Sequence, residues 1–526
     1  MSLMNLPDEL LDKIAKHFTQ CLVDPVVGDN DPPPEKLANS EEDDYARELR
    51  PHLLSLTLTN RRLNLITTCL LYQTIRIRDL PTLFLVTRTL FEAPHLATHV
   101  QEVSIFVDLG WPAKDFDQQN KDALEGLLGA LRDNNQVYNT FSRIAEPFPV
   151  LRRIVDEVVE MNIDDMASFN NHNGTYRDNR RYLKDITQVT CILLLLLTSN
   201  AVNLQLGLPR SFSDDSLYRA FVTSLMQDVA LPRLKQLSLI PNYPYFTFSM
   251  MWPSNLPQNL MLGRAIKHID IFGASFLDHE TLVRDAWAHV ETLRLEASHF
   301  SGVWLHELCK DGGAPRLKDI SLVFSSTSGN ETKVKDLRGP GMNEALSFLT
   351  HTLQKLRLRL KPSIPNDEPH LGAQGRLACL SSMEVLTDLD IDARSLFNSL
   401  DDMYKSNICD RLPRSLRRLT LFEPLMPPEN NDRALAFDND PYWNWMEPDT
   451  TPAIGPDGGS YQEYLERAFL QLVYESADRL PHLASVTIIR RDTWNINPEL
   501  GRCLRSVSVH PDLSTFRLWT FTPQRP

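Results

Sequence analysis

The chain carries seven cysteines in 526 residues (Cys21, Cys69, Cys191, Cys309, Cys379, Cys409 and Cys503), and no two of them form a C-x-x-C pair. That scatter argues against a disulfide framework and against structural zinc, and it fits reduced thiols used for packing. Long apolar runs are missing too: the longest, Val189 to Leu197, falls far short of the roughly 20 residues a bilayer requires. The opening residues Met1-Ser2-Leu3-Met4-Asn5-Leu6-Pro7-Asp8 lack the basic stretch of a signal peptide, and Ser2 stands where myristoylation needs glycine. Positive charge is in deficit: 54 Lys and Arg against 68 Asp and Glu give a net charge of -14. An acidic average disfavours a nucleic-acid footprint. The expectation is a soluble chain of the cytoplasm or nucleus, with neither nucleic acid nor membrane as partner. The sequons at Asn173 and Asn330 then carry no message.

Signatures of catalysis are absent as well. No G-x-x-x-x-G-K-S/T loop, G-x-G-x-x-G fingerprint, G-x-S-x-G elbow or H-E-x-x-H pair occurs. His306-Glu307-Leu308-Cys309 and His279-Glu280 both lack the second histidine of a zinc helix, so they read as surface or packing residues. Asp388-x-Asp390-x-Asp392 has the acids of a calcium loop but not its glycine, and Leu389 and Ile391 between them favour a strand. Neither a catalytic residue, nor a cofactor, nor a metal is expected.

What is present is an ordinary folded composition, 42% hydrophobic and 23% charged, in a chain too long for one core. The pattern L-x-x-L-x-L recurs from Val100, Ala201, Leu234, Ile266, Val290, Leu317, Leu353, Leu386, Leu416, Leu483 and Leu513. Between Leu234 and Leu416 the spacing runs from 24 residues (Ile266 to Val290) to 36 (Leu317 to Leu353), enough for one strand, one helix and two loops. Helical patterns sit between the hits, as at Asn343 to Leu353 and Tyr461 to Leu472. Alternation of strand and helix implies an α/β fold with parallel strands on one side and helices on the other. Only the Leu234 unit has the asparagine of regular repeats, Asn242. The stretch from Val107 to Val189 shows no hits, and an irregular insert at about 424–460, holding Tyr442, Trp443 and Trp445, interrupts the rhythm.

If the leucines of each strand point inward, the residues between them line the opposite face. That face would carry Lys355, Arg357 and Arg359, then Asp388, Asp390 and Asp392, then Arg418, Thr420 and Phe422, with Thr515, Arg517 and Trp519 on the last strand. A basic ladder beside an acidic one admits two readings: mutual neutralisation, or a surface that selects a charged partner with Trp519 as an aromatic anchor.

The N-terminus has its own pattern. Pro7 suits a first helical position, Asp8 and Glu9 complement the helix dipole, and Leu10, Leu11, Ile14 and Phe18 share one face. A proline-rich, acidic insert at about 23–50 reads as disordered. Beyond it come Leu53-Leu54-x-Leu56-x-Leu58, Asn60-Arg61-Arg62-Leu63, and a strand-like Leu71 to Ile77. This order of features resembles the F-box of fungal F-box proteins, although Leu63 stands where the family commonly has tryptophan. The resemblance implies a three-helix unit over residues 1–75. It would dock on a Skp-type adaptor, and through it a cullin, by Leu6, Pro7, Leu10, Leu11, Ile14, Leu54, Leu56, Leu58 and Leu63. Residues 76–526 would form an irregular leucine-rich repeat solenoid that binds a target protein for ubiquitin transfer. The alternative is a leucine-rich repeat scaffold with no ligase association.

Overall fold

The computed structural model describes residues 11, 54–59, 61–107, 118–133, 176–208, 231–241, 265–272, 275–276, 287–300, 302–324, 341–359, 377–397, 400–422, 461–491, 505–510 and 513–521. By contacts the chain divides into two units, Met1–Tyr245 with Leu260–Ile266, and Phe246–Asn259 with Lys267–Pro526.

The first unit begins with residues 54–59 in a helix and α1 (Arg61–Gln73), which runs directly into β1 (Thr74–Ile77). Local chemistry fixes the start of helix α2 (Leu80–Glu92): Asp79 caps it by accepting from Thr82 N at 2.8 Å, and Pro81 fills the first turn. After the short α3 (Pro94–Ala97) come β2 (Glu102–Ile105), α4 (Gln118–Asp133), α5 (Tyr176–Leu197), β3 (Asn203–Leu208) and β4 (Gln236–Pro241). The four strands are parallel and neighbours in chain order. Helix α2 packs on both α4 and α5. The apolar run Val189 to Leu197 is the buried end of α5, and no helix among the described residues is long and apolar enough to cross a membrane.

The second unit continues the same grammar. Strands β5 (His268–Phe272), β7 (Thr292–Phe300), β8 (Asp319–Phe324), β9 (Lys355–Arg359), β10 (Asp388–Asp392), β11 (Arg418–Phe422) and β12 (Ser485–Arg491) pair parallel in chain order, with the two-residue β6 (Ser275–Phe276) beside β7. Between them lie α6 (Gly302–Cys309), α7 (Gly341–Ser347), α8 (Leu400–Lys405) and α9 (Tyr461–Arg479), with 3-10 turns at Ala378–Ser382 and Ile408–Arg411. The chain is thus mixed α/β with parallel strands. Ten of the eleven L-x-x-L-x-L hits begin two residues ahead of a strand, and the inward residues of β7 to β12 are buried.

A recurring backbone joint sets the starts of β7 to β12. The carbonyl of Lys267 accepts from both Glu291 N (2.8 Å) and Thr292 N (3.0 Å), and the carbonyls of Glu291, Lys318, Gln354, Thr387 and Arg417 each take two successive N–H groups of the next strand in the same way. Just upstream, a tight turn links Leu234 N to Leu231 O, Val290 N to Trp287 O, Leu317 N to Ala314 O, Leu416 N to Pro413 O and Leu483 N to Leu480 O. The residue three before the first leucine is therefore part of the repeat. At Trp287 it is a large anchor, meeting Trp304 of α6 edge to face with centroids 5.9 Å apart.

The expected continuation of parallel strands at Leu513 is overturned. Strand β14 (Leu513–Phe521) is antiparallel to β12, and β13 (Arg505–His510) pairs antiparallel on its other side. Pro511 and Asp512 alone separate β13 from β14, and a two-residue link permits only a hairpin, whereas a parallel pair needs a crossover of a dozen residues or more.

Candidate functional site

Two features stand out, both set by residues that the pattern leaves off the buried face. The first is the polar face of the second unit's sheet. Parallel register aligns His268, Thr292, Asp319, Lys355, Asp388, Arg418 and Ser485 in one row across the strands. A second row, two residues on, aligns Asp270, Arg294, Ser321, Arg357, Asp390, Thr420 and Thr487.

Charges of opposite sign meet along both rows. Asp390 accepts from Arg359 at 2.9 Å and faces Arg357 Nε at 3.3 Å; on its other side Arg357 reaches Glu296 at 3.5 Å, and Glu296 accepts from Ser321 Oγ at 2.8 Å. Arg418 is paired with Asp388, and Arg294 lies 3.9 Å from Asp270. The Arg359 guanidinium also sits over the Phe422 ring, 5.1 Å from its centroid. Arg357 and Asp390 keep only 21% and 22% of their side-chain surface, so this is a partly desolvated lattice rather than a set of loose surface pairs. The half-buried carboxyl of Asp319 is raised above the usual range by burial, with Arg294 and Lys355 pulling the other way.

Sequence parity placed Lys355, Arg357, Arg359, Asp388, Asp390 and Arg418 on this face, and the structure brings them together strand by strand. Asp392 differs: at the strand's end, where the 3-10 turn Ala393–Leu396 begins, it is buried. Arg517 and Trp519 fall on β14, where the backbone pairs them with Arg490 and Ile488; their side chains lie outside the described residues. Glu296 was not singled out from sequence, because β7 extends past the three-leucine pattern; strand parity continued from Arg294 would have found it.

The second feature is the N-terminal helical stretch. Leu54 and Leu58, one turn apart, are 55% and 79% exposed, and Leu65 of α1 is 66% exposed. Leu56 is half-buried, whereas Leu63 and Leu11 are buried within the chain. Asn64 Nδ2 donates to Thr57 O at 3.1 Å and ties α1 to the preceding helix. Leu6, Pro7, Leu10 and Ile14 lie outside the described residues, as do the inserts at 23–50 and 424–460. Leu65, unremarked in the sequence, joins Leu54 and Leu58 as an exposed apolar side chain.

Other candidates resolve into packing. Burial pushes the thiols of Cys309, Cys379 and Cys409 up to about 12 and raises that of Cys191, so all four are protonated at neutral pH. His306 bridges helices, with Glu307 at 3.3 Å and Glu344 of α7 at 3.5 Å. Asp388, Asp390 and Asp392 lie on a strand, β10. Among the described residues no group of three or more His, Cys, Asp or Glu is placed to hold a metal ion. No protein-family model matches the chain, and no curated protein matches it significantly. Function is left to the geometry.

Proposed function

We propose that the chain is the substrate-recognition subunit of an SCF-type ubiquitin ligase, with an F-box that docks on a Skp-type adaptor and a leucine-rich repeat solenoid that holds the target. The observation that carries this reading is the exposure of Leu54 and Leu58 at the segment that resembles the F-box. Large aliphatic side chains left in water one helical turn apart are a contact face in want of a partner. The strands support the solenoid half. Parallel crossovers keep one hand, so strands that are neighbours in chain order call for connecting helices on one face, which would leave the other for a ligand. On that face the rows around Lys355, Arg357, Arg359, Asp388, Asp390 and Arg418 would supply charge selectivity. Catalysis then needs no group from this chain: a target held beside the transfer machinery reacts because its effective concentration is high.

The test is direct binding of the full chain to a purified Skp-type adaptor by isothermal titration, beside Leu54→Asp/Leu58→Asp. Leu11→Asp is a poor probe, since a buried charge there would unfold the segment. Binding by the parent and its loss in the double variant, with circular dichroism unchanged, is the expected result. No binding by the parent, or full binding by the variant, overturns the reading and leaves the scaffold alternative.

A further inference from the structure

The strand starts of the second unit hold an excess of positive charge that the ion-pair lattice does not absorb. In the turns and first residues of β8 to β11 stand Arg316, Lys318, Lys355, Arg414, Arg417 and Arg418, all exposed. Acids on the same rim are fewer. Asp388 is taken by Arg418 and Asp319 is half-buried, while exposed Glu384 lies 3.0 Å from His351 Nδ1, a charge pair only with that ring protonated. Lys318 is held by Glu291 at 3.1 Å. Among the described residues, Arg316, Arg414 and Arg417 make no hydrogen bond or ion pair through their side chains, and Lys355 has only its longer-range attraction to Asp319. In a chain with net charge -14, a line of unneutralised cations on one rim is the reverse of the average surface.

The fold fixes their spacing. The turn carrying Arg316 precedes β8, and the turn carrying Arg414 and Arg417 precedes β11, three strand steps away. Neighbouring strands are about 4.8 Å apart, so the line runs roughly 14 Å. An extended polypeptide rises about 3.3 Å per residue, so four or five residues cover it. We infer that this rim is a docking track for an acidic segment of a partner polypeptide, crossing the strand starts from Arg316 to Arg417. The track is independent of adaptor docking, because it draws on none of the N-terminal residues.

The experiment uses the full chain and a fluorescein-labelled decaglutamate peptide, read by anisotropy, with decalysine and duplex DNA as companion probes. Decaglutamate is expected to bind, to weaken several-fold between 50 and 300 mM salt (about 14 and 6 Å of screening length), and to lose at least about tenfold in affinity with Arg316→Glu/Lys355→Glu/Arg417→Glu. The control Lys310→Glu/Lys405→Glu, one just past the end of α6 and the other at the end of α8, should bind as the parent does. Thermal melts of both variants establish that they are folded; a triple variant that fails to fold is replaced by the three single reversals, each expected to weaken binding. No binding of decaglutamate, equal binding by the reversed proteins, or binding of duplex DNA without the peptide overturns the inference.

Discussion

Asp388 and Asp390 offer an internal comparison, because they are the same residue on the same strand and the same face, each facing arginine. Asp390 is shared by Arg357 and Arg359, whose side chains are 21% and 25% exposed. Asp388 is as little exposed, at 21%, but its arginine, Arg418, is 54% exposed. Replacing Asp388 by alanine releases a guanidinium that is already largely solvated, which costs about 0.5 kcal/mol. Replacing Asp390 takes the carboxylate from Arg359 and leaves Arg357 leaning on Glu296 at 3.5 Å, both partly desolvated, which lies between the surface and fully buried limits and costs about 2 kcal/mol. For a unit of this size each kcal/mol moves the melting temperature by about 2–4 °C, so Asp390→Ala should melt roughly 4–8 °C below the parent and Asp388→Ala within about 2 °C of it. Differential scanning calorimetry in low salt and in 0.5 M salt reads both. The gap should persist in high salt, because burial shields the Asp390 cluster from screening ions. Equal melting temperatures for the two variants, or a gap that salt abolishes, would refute the claim that the face is a partly buried lattice.

Other outcomes follow from local geometry. A Cβ at Gly313 would collide with the carbonyl oxygen of Leu308, and one at Gly129 in α4 meets nothing within 4 Å. Gly313→Ala should therefore destabilise by about 1–3 kcal/mol, while Gly129→Ala should stabilise by about 0.5–1 kcal/mol, both read by urea midpoints. Hydrogen bonds from Lys267 and Lys318 hold the Glu291 carboxyl down at about 2 against its usual 4.5. A depressed carboxyl stabilises the fold above the unfolded value and loses that contribution as pH falls through 4.5 towards 2. Glu291→Gln should thus melt below the parent at pH 7 and converge with it in acid, and a constant difference across that range would refute the linkage. Iodoacetamide at pH 7.5 should label partly exposed Cys69 before buried Cys191, Cys309 and Cys409, as peptide mapping would show.

Much of this architecture was legible because two periodicities do different work. Leucines two apart on a strand name the buried face, and the residues between them name its partners across the ladder; hence Lys355, Asp388 and Arg418 could be aligned from sequence alone. What stayed hidden depends on distance in space. The Arg359–Phe422 contact skips a strand, and no local pattern encodes a diagonal. Burial of Asp392 comes from where its strand ends rather than from parity. The reversal at β13 and β14 was available in Pro511-Asp512 and in the alternation of Val507 and Val509, but the leucine pattern at Leu513 masked it. At the N-terminus the sequence named an apolar face, yet only packing separates exposed Leu54 and Leu58 from buried Leu63.

Sequential strand order in the second unit also bears on how the chain comes off the ribosome. Each new strand from β8 to β12 finds its upstream partner already made, so the sheet can lengthen at the pace of synthesis without waiting for distant sequence. The newest strand is meanwhile an open template for any stray extended segment. That exposure lasts until β14 emerges and pairs with β12, so a chain stalled after Arg491 should be more prone to aggregate than one released after Phe521.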